Sequence, residues 1–274
     1  MTPKRNALFA AAVTTALVSG LGLAAAPSAQ AQVSFNGTYT QNFDTLLTTG
    51  GTAETANPFT DNSTLPGWYA SETAYFGGPG TGNAGGLYSF GAVGNAERAL
   101  GSIGSNATGT IQYGVQLQNT SGSVINSLTV SYTGEQWRNG GNATAQTLSF
   151  AYFNAGASNA NVLAGGAYTG VAALNFTSLQ NTTTAAALNG NAAANSTALS
   201  STITNLNWQA GQYVWLRWTD PNDAGNDHGL AIDSVTLSAA VTPPVGAAPE
   251  PGSLALVALG AVPLIGLLRR RTSR

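Results

Sequence analysis

The sequence predicts an all-β domain built as two antiparallel sheets packed face to face. Three observations carry this. Apolar residues recur at every second position in the ordered-looking segments, clusters of Gly, Pro and Asn separate those segments, and no run of ten or more residues shows an amphipathic helical period. Taken in order, short strands are expected over 38–43, 67–71, 87–90 and 98–103. A longer one follows over 110–118, where Ile111, Tyr113, Val115 and Leu117 share one face and Gln112, Gly114, Gln116 and Gln118 the other. Leu128, Val130 and Tyr132 mark a strand over 127–132, and Leu148, Phe150 and Tyr152 mark one over 147–153. Residues 213–218 are apolar on both faces apart from Arg217, the pattern of a central strand. In the last strand Leu230 and Ile232 share one parity, Val235 and Leu237 the other. The register therefore changes at Asp233-Ser234, which predicts a bulge. Turns fall at Pro66-Gly67, Gly77-Gly78-Pro79-Gly80, Ser121-Gly122 and Asn139-Gly140-Gly141.

These elements point to a β-sandwich, a jelly roll of the concanavalin-like kind. The runner-up, a right-handed β-helix, needs a repeat of about 20–25 residues that the chain lacks. Residues 181–201 are low in complexity (NTTTAAALNGNAAANSTALSS), and read as a long loop or a ragged pair of strands.

Charge is sparse. Among 274 residues, Lys and Arg number 9 and Asp and Glu 11, 7% of the chain with a net charge of −2. Average soluble proteins carry about 25%. The balance offers no basic surface for nucleic acid. With no Cys, the chain has no disulfide framework, Cys-based zinc site or thiol nucleophile.

Both ends read as targeting segments. Residues 1–31 hold Lys4 and Arg5, an Ala/Leu/Val-rich run, and Ala29-Gln30-Ala31 as a small-x-small cleavage pattern, the features of a secretory signal peptide with its own apolar helix. The exported domain spans 32–240, and residues 241–248 (VTPPVGAA) form an extended Pro-rich linker. Residues 249–274 open with Pro249, Glu250 and Pro251. An uncharged helix of about 24 Å follows over 253–268, then Arg269, Arg270, Arg271 and Arg274. The arginines keep this end cytoplasmic, so the preceding domain is exported and membrane-anchored. Pro249-Glu250-Pro251, hydrophobic helix and Arg cluster, in that order, resemble the PEP-CTERM sorting signal. The resemblance implies an exosortase as processing partner and cleavage near the PEP motif. It also implies transient inner-membrane anchoring before delivery to the cell surface or the extracellular polysaccharide and biofilm matrix.

Inside the domain stand three basic residues, Arg98, Arg138 and Arg217, against ten acids, with no Lys. Four acids crowd into Asp220-Pro221-Asn222-Asp223-Ala224-Gly225-Asn226-Asp227-His228-Gly229-Leu230-Ala231-Ile232-Asp233. Two readings stand for this stretch. Asp220, Asp223 and Asp227 are hard oxygen ligands suited to Ca²⁺, the one cofactor the sequence suggests, or they are turn residues satisfying loop N–H groups. An EF-hand is excluded by the missing Glu at its twelfth position and by the lack of flanking helices. His228, the only His, is a general base or a loop hydrogen-bonding residue. Glu135, Trp137 and Arg138 also carry two readings. In the first they form a carbohydrate site with His228, Trp137 stacking on a sugar and Arg138 bonding its hydroxyls. In the second, Arg98, Arg138 and Arg217 form structural ion pairs with Glu97, Glu135 and Asp233.

Tyr39-Thr40-Gln41-Asn42-Phe43-Asp44, Leu65-Pro66-Gly67-Trp68, Gly86-Leu87-Tyr88-Ser89-Phe90-Gly91, Glu97-Arg98-Ala99-Leu100-Gly101, Glu135-Gln136-Trp137-Arg138 and Asp227–Asp233 together resemble a recurrent extracellular bacterial β-sandwich, found in surface proteins that end in sorting signals. The resemblance covers most of residues 35–238 and implies fold and location rather than an activity. No Gly-x-Ser-x-Gly, His-Glu-x-x-His or Glu-x-Asp-x-x-Glu motif accompanies it. A non-catalytic surface or matrix module binding carbohydrate or Ca²⁺ is therefore placed first. A glycosidase or lyase on a jelly roll and an adhesive structural protein are the alternatives.

Overall fold

The computed structural model describes residues 33–46 and 56–241. The signal segment, Glu54, the sorting motif Pro249, Glu250 and Pro251, and all but the first residue of the linker lie outside them. Among the described residues the strands are β1 (Val33–Phe35), β2 (Thr38–Gln41), β3 (Ala56–Pro58), β4 (Trp68–Ala70), β5 (Ala74–Gly78), β6 (Gly86–Phe90), β7 (Ala99–Ile103), β8 (Ile111–Asn119), β9 (Leu128–Asn139), β10 (Thr147–Gly156), β11 (Thr169–Gly170), β12 (Phe176–Thr177), β13 (Ala186–Ala187), β14 (Ser196–Ile203), β15 (Tyr213–Asp220) and β16 (Gly229–Ser238). There is no α-helix among them, and so no helix long and apolar enough to cross a membrane.

One sheet runs β1-β8-β15-β10-β11, with β4 also on β8 and β12 also on β10. The other runs β13-β9-β16-β7-β6-β5-β3, with β14 also on β9 and β2 also on β16. Pairing is antiparallel except for β1 with β8 and β5 with β6. The all-β expectation holds. Strand β15 is central, between β8 and β10, as its two apolar faces required.

The core lies between the sheets. Ile111, Tyr113, Val115 and Leu117 of β8 and Val214, Leu216 and Trp218 of β15 meet Leu128, Val130 and Tyr132 of β9 and Leu230, Ile232, Val235 and Leu237 of β16 in one buried cluster. The change of parity in β16 is the expected bulge: its register against β9 shifts between Asp233 and Thr236, and Ser234 has φ 52°. The bulge lets Ile232 and Val235 both face inward and leaves Asp233 on the outer face.

That outer face is not open to solvent. Tyr88, Phe90, Ala99, Ile103, Trp137 and Ala231 form a second buried cluster. Tyr88 stacks on Phe90 at 4.8 Å and Phe90 on Trp137 at 6.2 Å between ring centres. The low-complexity stretch supplies β13 and most of β14, both paired with β9. Strand β14 meets β9 on its exposed face through cross-strand hydroxyl pairs, Thr129 with Thr202 and Ser131 with Ser200.

Candidate functional site

Two groups of polar residues stand out, one in a cleft at a sheet end and one beneath the outer layer. The cleft has a volume of about 330 Å³ and is lined by Asn83, Asn106, Arg138, Asn222, Asn226 and Asp227 among others. Arg138 comes from the end of β9, and its Nη1 donates to the carbonyls of Gly80 at 3.1 Å and Thr81 at 3.2 Å. Asn222 Nδ2 donates to Asn106 Oδ1 at 2.9 Å, joining the β15–β16 connection to the residues after β7.

The β15–β16 connection is held from the β9–β10 side. Asn142 Nδ2 donates to the carbonyls of Ala224 and Asn226, and Gln146 Nε2 donates to Asn226. The His228 N–H donates to Gln146 Oε1, and the Gly140 N–H donates to His228 Nδ1 at 2.9 Å. Accepting at Nδ1 places the proton of neutral His228 on Nε2. His228 is buried, and burial pulls its pKa below the usual range. It anchors the loop backbone through its N–H and Nδ1 and is not among the residues that line the cleft, while its Nε2 is buried without a partner.

The loop carboxylates are used in the same way. Asp227 Oδ1 accepts from the Asp223 N–H at 2.9 Å, and Asp220 Oδ2 accepts from Ser102 Oγ at 2.6 Å. Burial pushes the Asp220 carboxyl up to about 7; the Ser102 hydroxyl opposes this, and Asp227 and Asp223 add to it. Among the described residues the one trio whose ligand atoms converge is elsewhere: Glu97, Glu135 and Asp233, with one oxygen from each within 4.8 Å of the others. Asp220, Asp223 and Asp227 of the loop do not form such a group.

The outer-layer group corrects two further expectations. Trp137 is 1% exposed, stacked on Phe90, and its Nε1 donates to Glu135 Oε2 at 2.8 Å. It is no sugar platform. Gly190, against its indole, and Gly80, against its backbone carbonyl, lie far away in sequence. A Cβ on Gly190 would stand 2.2 Å from Trp137 Nε1. A Cβ on Gly80, at φ +80°, would stand 1.9 Å from the Trp137 carbonyl oxygen. Gly80→Ala is therefore expected to cost more than the roughly 1–2 kcal/mol of left-handed backbone alone. Gly78→Ala, with nothing within 4 Å of its Cβ, is the matched control in a urea titration. Equal midpoints for the two variants would contradict this packing.

The ion pairs expected of Arg98, Arg138, Arg217 and Asp233 are replaced by other contacts. Buried Arg98 donates through Nε to Ser89 Oγ at 2.8 Å and through Nη2 to the Ser89 carbonyl. Arg217 Nη1 donates to the Leu163 carbonyl at 2.8 Å, and its guanidinium lies 3.7 Å from the Tyr168 ring centre. The register brings the acids together with one another instead. Asp233 pairs with Thr133 and Ala231 with Glu135, so the two acids are diagonal neighbours on one face, and Glu97 arrives just before β7 on the other side of β16.

Sequence reasoning missed the cleft asparagines, since Asn also serves throughout this chain as a turn residue. No family model matches the chain, and no curated protein matches it in sequence. Among solved structures it is similar to the tandem CBM22 domain of Paenibacillus barcinonensis Xyn10C (14% identity, TM-score 0.38, 66% of this chain and 49% of that one). It is also similar to the xylan-binding module CBM15 (10%, 0.34, 69% and 98%) and the K3 cleaved adhesin domain of Lys-gingipain from Porphyromonas gingivalis (18%, 0.36, 68% and 99%). At TM-scores below 0.5 these likenesses carry no argument for function.

Proposed function

We propose that the chain is an exported, non-catalytic jelly-roll module, delivered through its PEP-CTERM-like signal to the cell surface or matrix, whose end cleft holds a hydroxyl-rich polysaccharide. The cleft lining carries this reading. Asn83, Asn106, Asn222 and Asn226 offer paired amide donors and acceptors, Arg138 adds a fixed guanidinium and Asp227 a carboxylate. That set matches adjacent sugar hydroxyls, which both donate and accept. Glycoside hydrolysis uses two carboxylates on either side of the scissile bond. The lining offers Asp227, while Glu135 and Asp233 are buried beneath the outer layer.

Purified protein is expected to be retarded in affinity gels containing the polysaccharide made by the producing cells. Asn83→Ala and Asn226→Ala, both at exposed positions, should each weaken retention about tenfold, the worth of roughly one hydrogen bond. Their melting midpoints should stay at the wild-type value. Retardation unchanged by both variants would reject the cleft, and sugar release would favour the glycosidase.

A further inference from the structure

We infer that Glu97, Glu135 and Asp233 form a binding site for a hard divalent cation of the Ca²⁺ class, tying together β9, β16 and the entry to β7. One oxygen from each carboxylate lies within 4.8 Å of the other two. Oxygens bound to one Ca²⁺ at about 2.3–2.6 Å are at most about 5 Å apart, so all three fit one coordination sphere. The donor set is oxygen alone, which selects a hard cation over zinc or copper.

The second observation is the state of the remaining oxygens. Each carboxylate has one oxygen taken by a neutral side-chain donor: Glu135 Oε2 by Trp137 Nε1, Asp233 Oδ2 by Ser234 Oγ, and Glu97 Oε2 by Asn191 Nδ2; the Ser234 N–H also favours ionised Asp233. These donors fix the orientation of the three groups and supply no positive charge. Glu97 Oε1 and Asp233 Oδ1 are buried with no hydrogen-bond partner. Asp233 as a whole is 9% exposed and Glu135 2%. Burying a carboxylate oxygen without a donor or cation is costly, and three such groups side by side repel one another. Arg98, next in sequence to Glu97, acts on that carboxylate electrostatically, but its guanidinium hydrogen bonds go to Ser89 and the Ala92 carbonyl. Asp44 adds a further negative charge within electrostatic reach of Asp233. A bound cation of two positive charges resolves both problems together.

The inference is independent of the cleft. Its test is thermal melting of the purified protein, stripped with chelator and then supplied with Ca²⁺, Mg²⁺ or chelator alone, together with calorimetric titration of CaCl₂. Ca²⁺ is expected to raise the wild-type midpoint by roughly 5 °C or more and to titrate to one site. Asp233→Asn and Glu97→Gln should lose that rise. In chelator both should melt at or above the wild type, because each removes one repelling charge. Asp223→Asn, in the β15–β16 loop, should keep the full rise. If Asp233→Asn fails to fold, half-buried Glu97→Gln gives the reading. A wild-type midpoint indifferent to all three conditions would overturn the site. So would a rise that survives Glu97→Gln and disappears in Asp223→Asn.

Discussion

Trp218→Ala is expected to destabilise the domain by about 3–5 kcal/mol, the range for emptying a buried large aromatic site. Trp218 is fully buried at the end of β15. Its ring stacks on Trp68 of β4 at 5.7 Å and meets Phe150 of β10 edge-on at 5.1 Å and Tyr132 of β9 edge-on at 5.5 Å. Trp68 and Phe150 belong to the same sheet as Trp218, and Tyr132 to the facing one, so one side chain closes the sandwich. Rigid aromatic neighbours on three sides leave little room for collapse into the cavity. Urea unfolding should show the loss at unchanged slope, and the melting midpoint should fall by roughly 10 °C. Trp218→Phe keeps a ring in the site and most of its aromatic contacts. It should cost far less. A loss under about 1 kcal/mol for the alanine variant would mean that the two sheets are held together elsewhere.

The fold was legible wherever apolar and polar or small residues alternate along a strand, as in β8, where every second residue from Ile111 to Leu117 joins the central core. The bulge at Asp233-Ser234 was legible for the same reason, since the core face changes parity there. Strand β14 was obscure because it is exposed along most of its length, so no apolar alternation marks it. The site was less readable. Trp137 looks like a ligand platform in sequence and is core in space, because Phe90 stacks on its ring and Gly190 lies against its indole edge. The arginines looked like partners for the acids, and carbonyls took them first. Which acids meet depends on strand register and on a bulge, and neither charge nor spacing along the chain records it. Glu97 and Glu135 are 38 positions apart, yet β7 and β9 flank the same strand.

Asp220→Asn is expected to flatten part of the pH dependence of stability, in a direction that the burial of this carboxyl fixes. Asp220 is 3% exposed at the end of β15, accepting from Ser102 Oγ, and burial lifts its carboxyl from 3.8 to about 7. An acid whose native pKa is raised binds its proton more tightly folded than unfolded. Its stabilising contribution is therefore fully present below about pH 4 and is lost as pH rises through about 7. About three pKa units at about 1.4 kcal/mol each set a ceiling on the order of 4 kcal/mol. The Asn side chain resembles the protonated acid and retains an acceptor for Ser102. Wild type and variant should thus have similar urea midpoints at pH 4, while at pH 8 the variant should be the more stable by a few kcal/mol. Both titrations belong in chelator, so that any cation at Glu97, Glu135 and Asp233 does not add its own pH dependence. A difference between the two proteins that stays constant from pH 4 to pH 8 would show that Asp220 is not held in a dry site. The Ser102–Asp220 hydrogen bond pins the start of the loop that carries Asn222, Asn226 and Asp227 to β7. Ionised Asp220 accepts that bond more strongly, so the stability lost above about pH 7 is the cost of burying the charge and not the loss of the loop anchor.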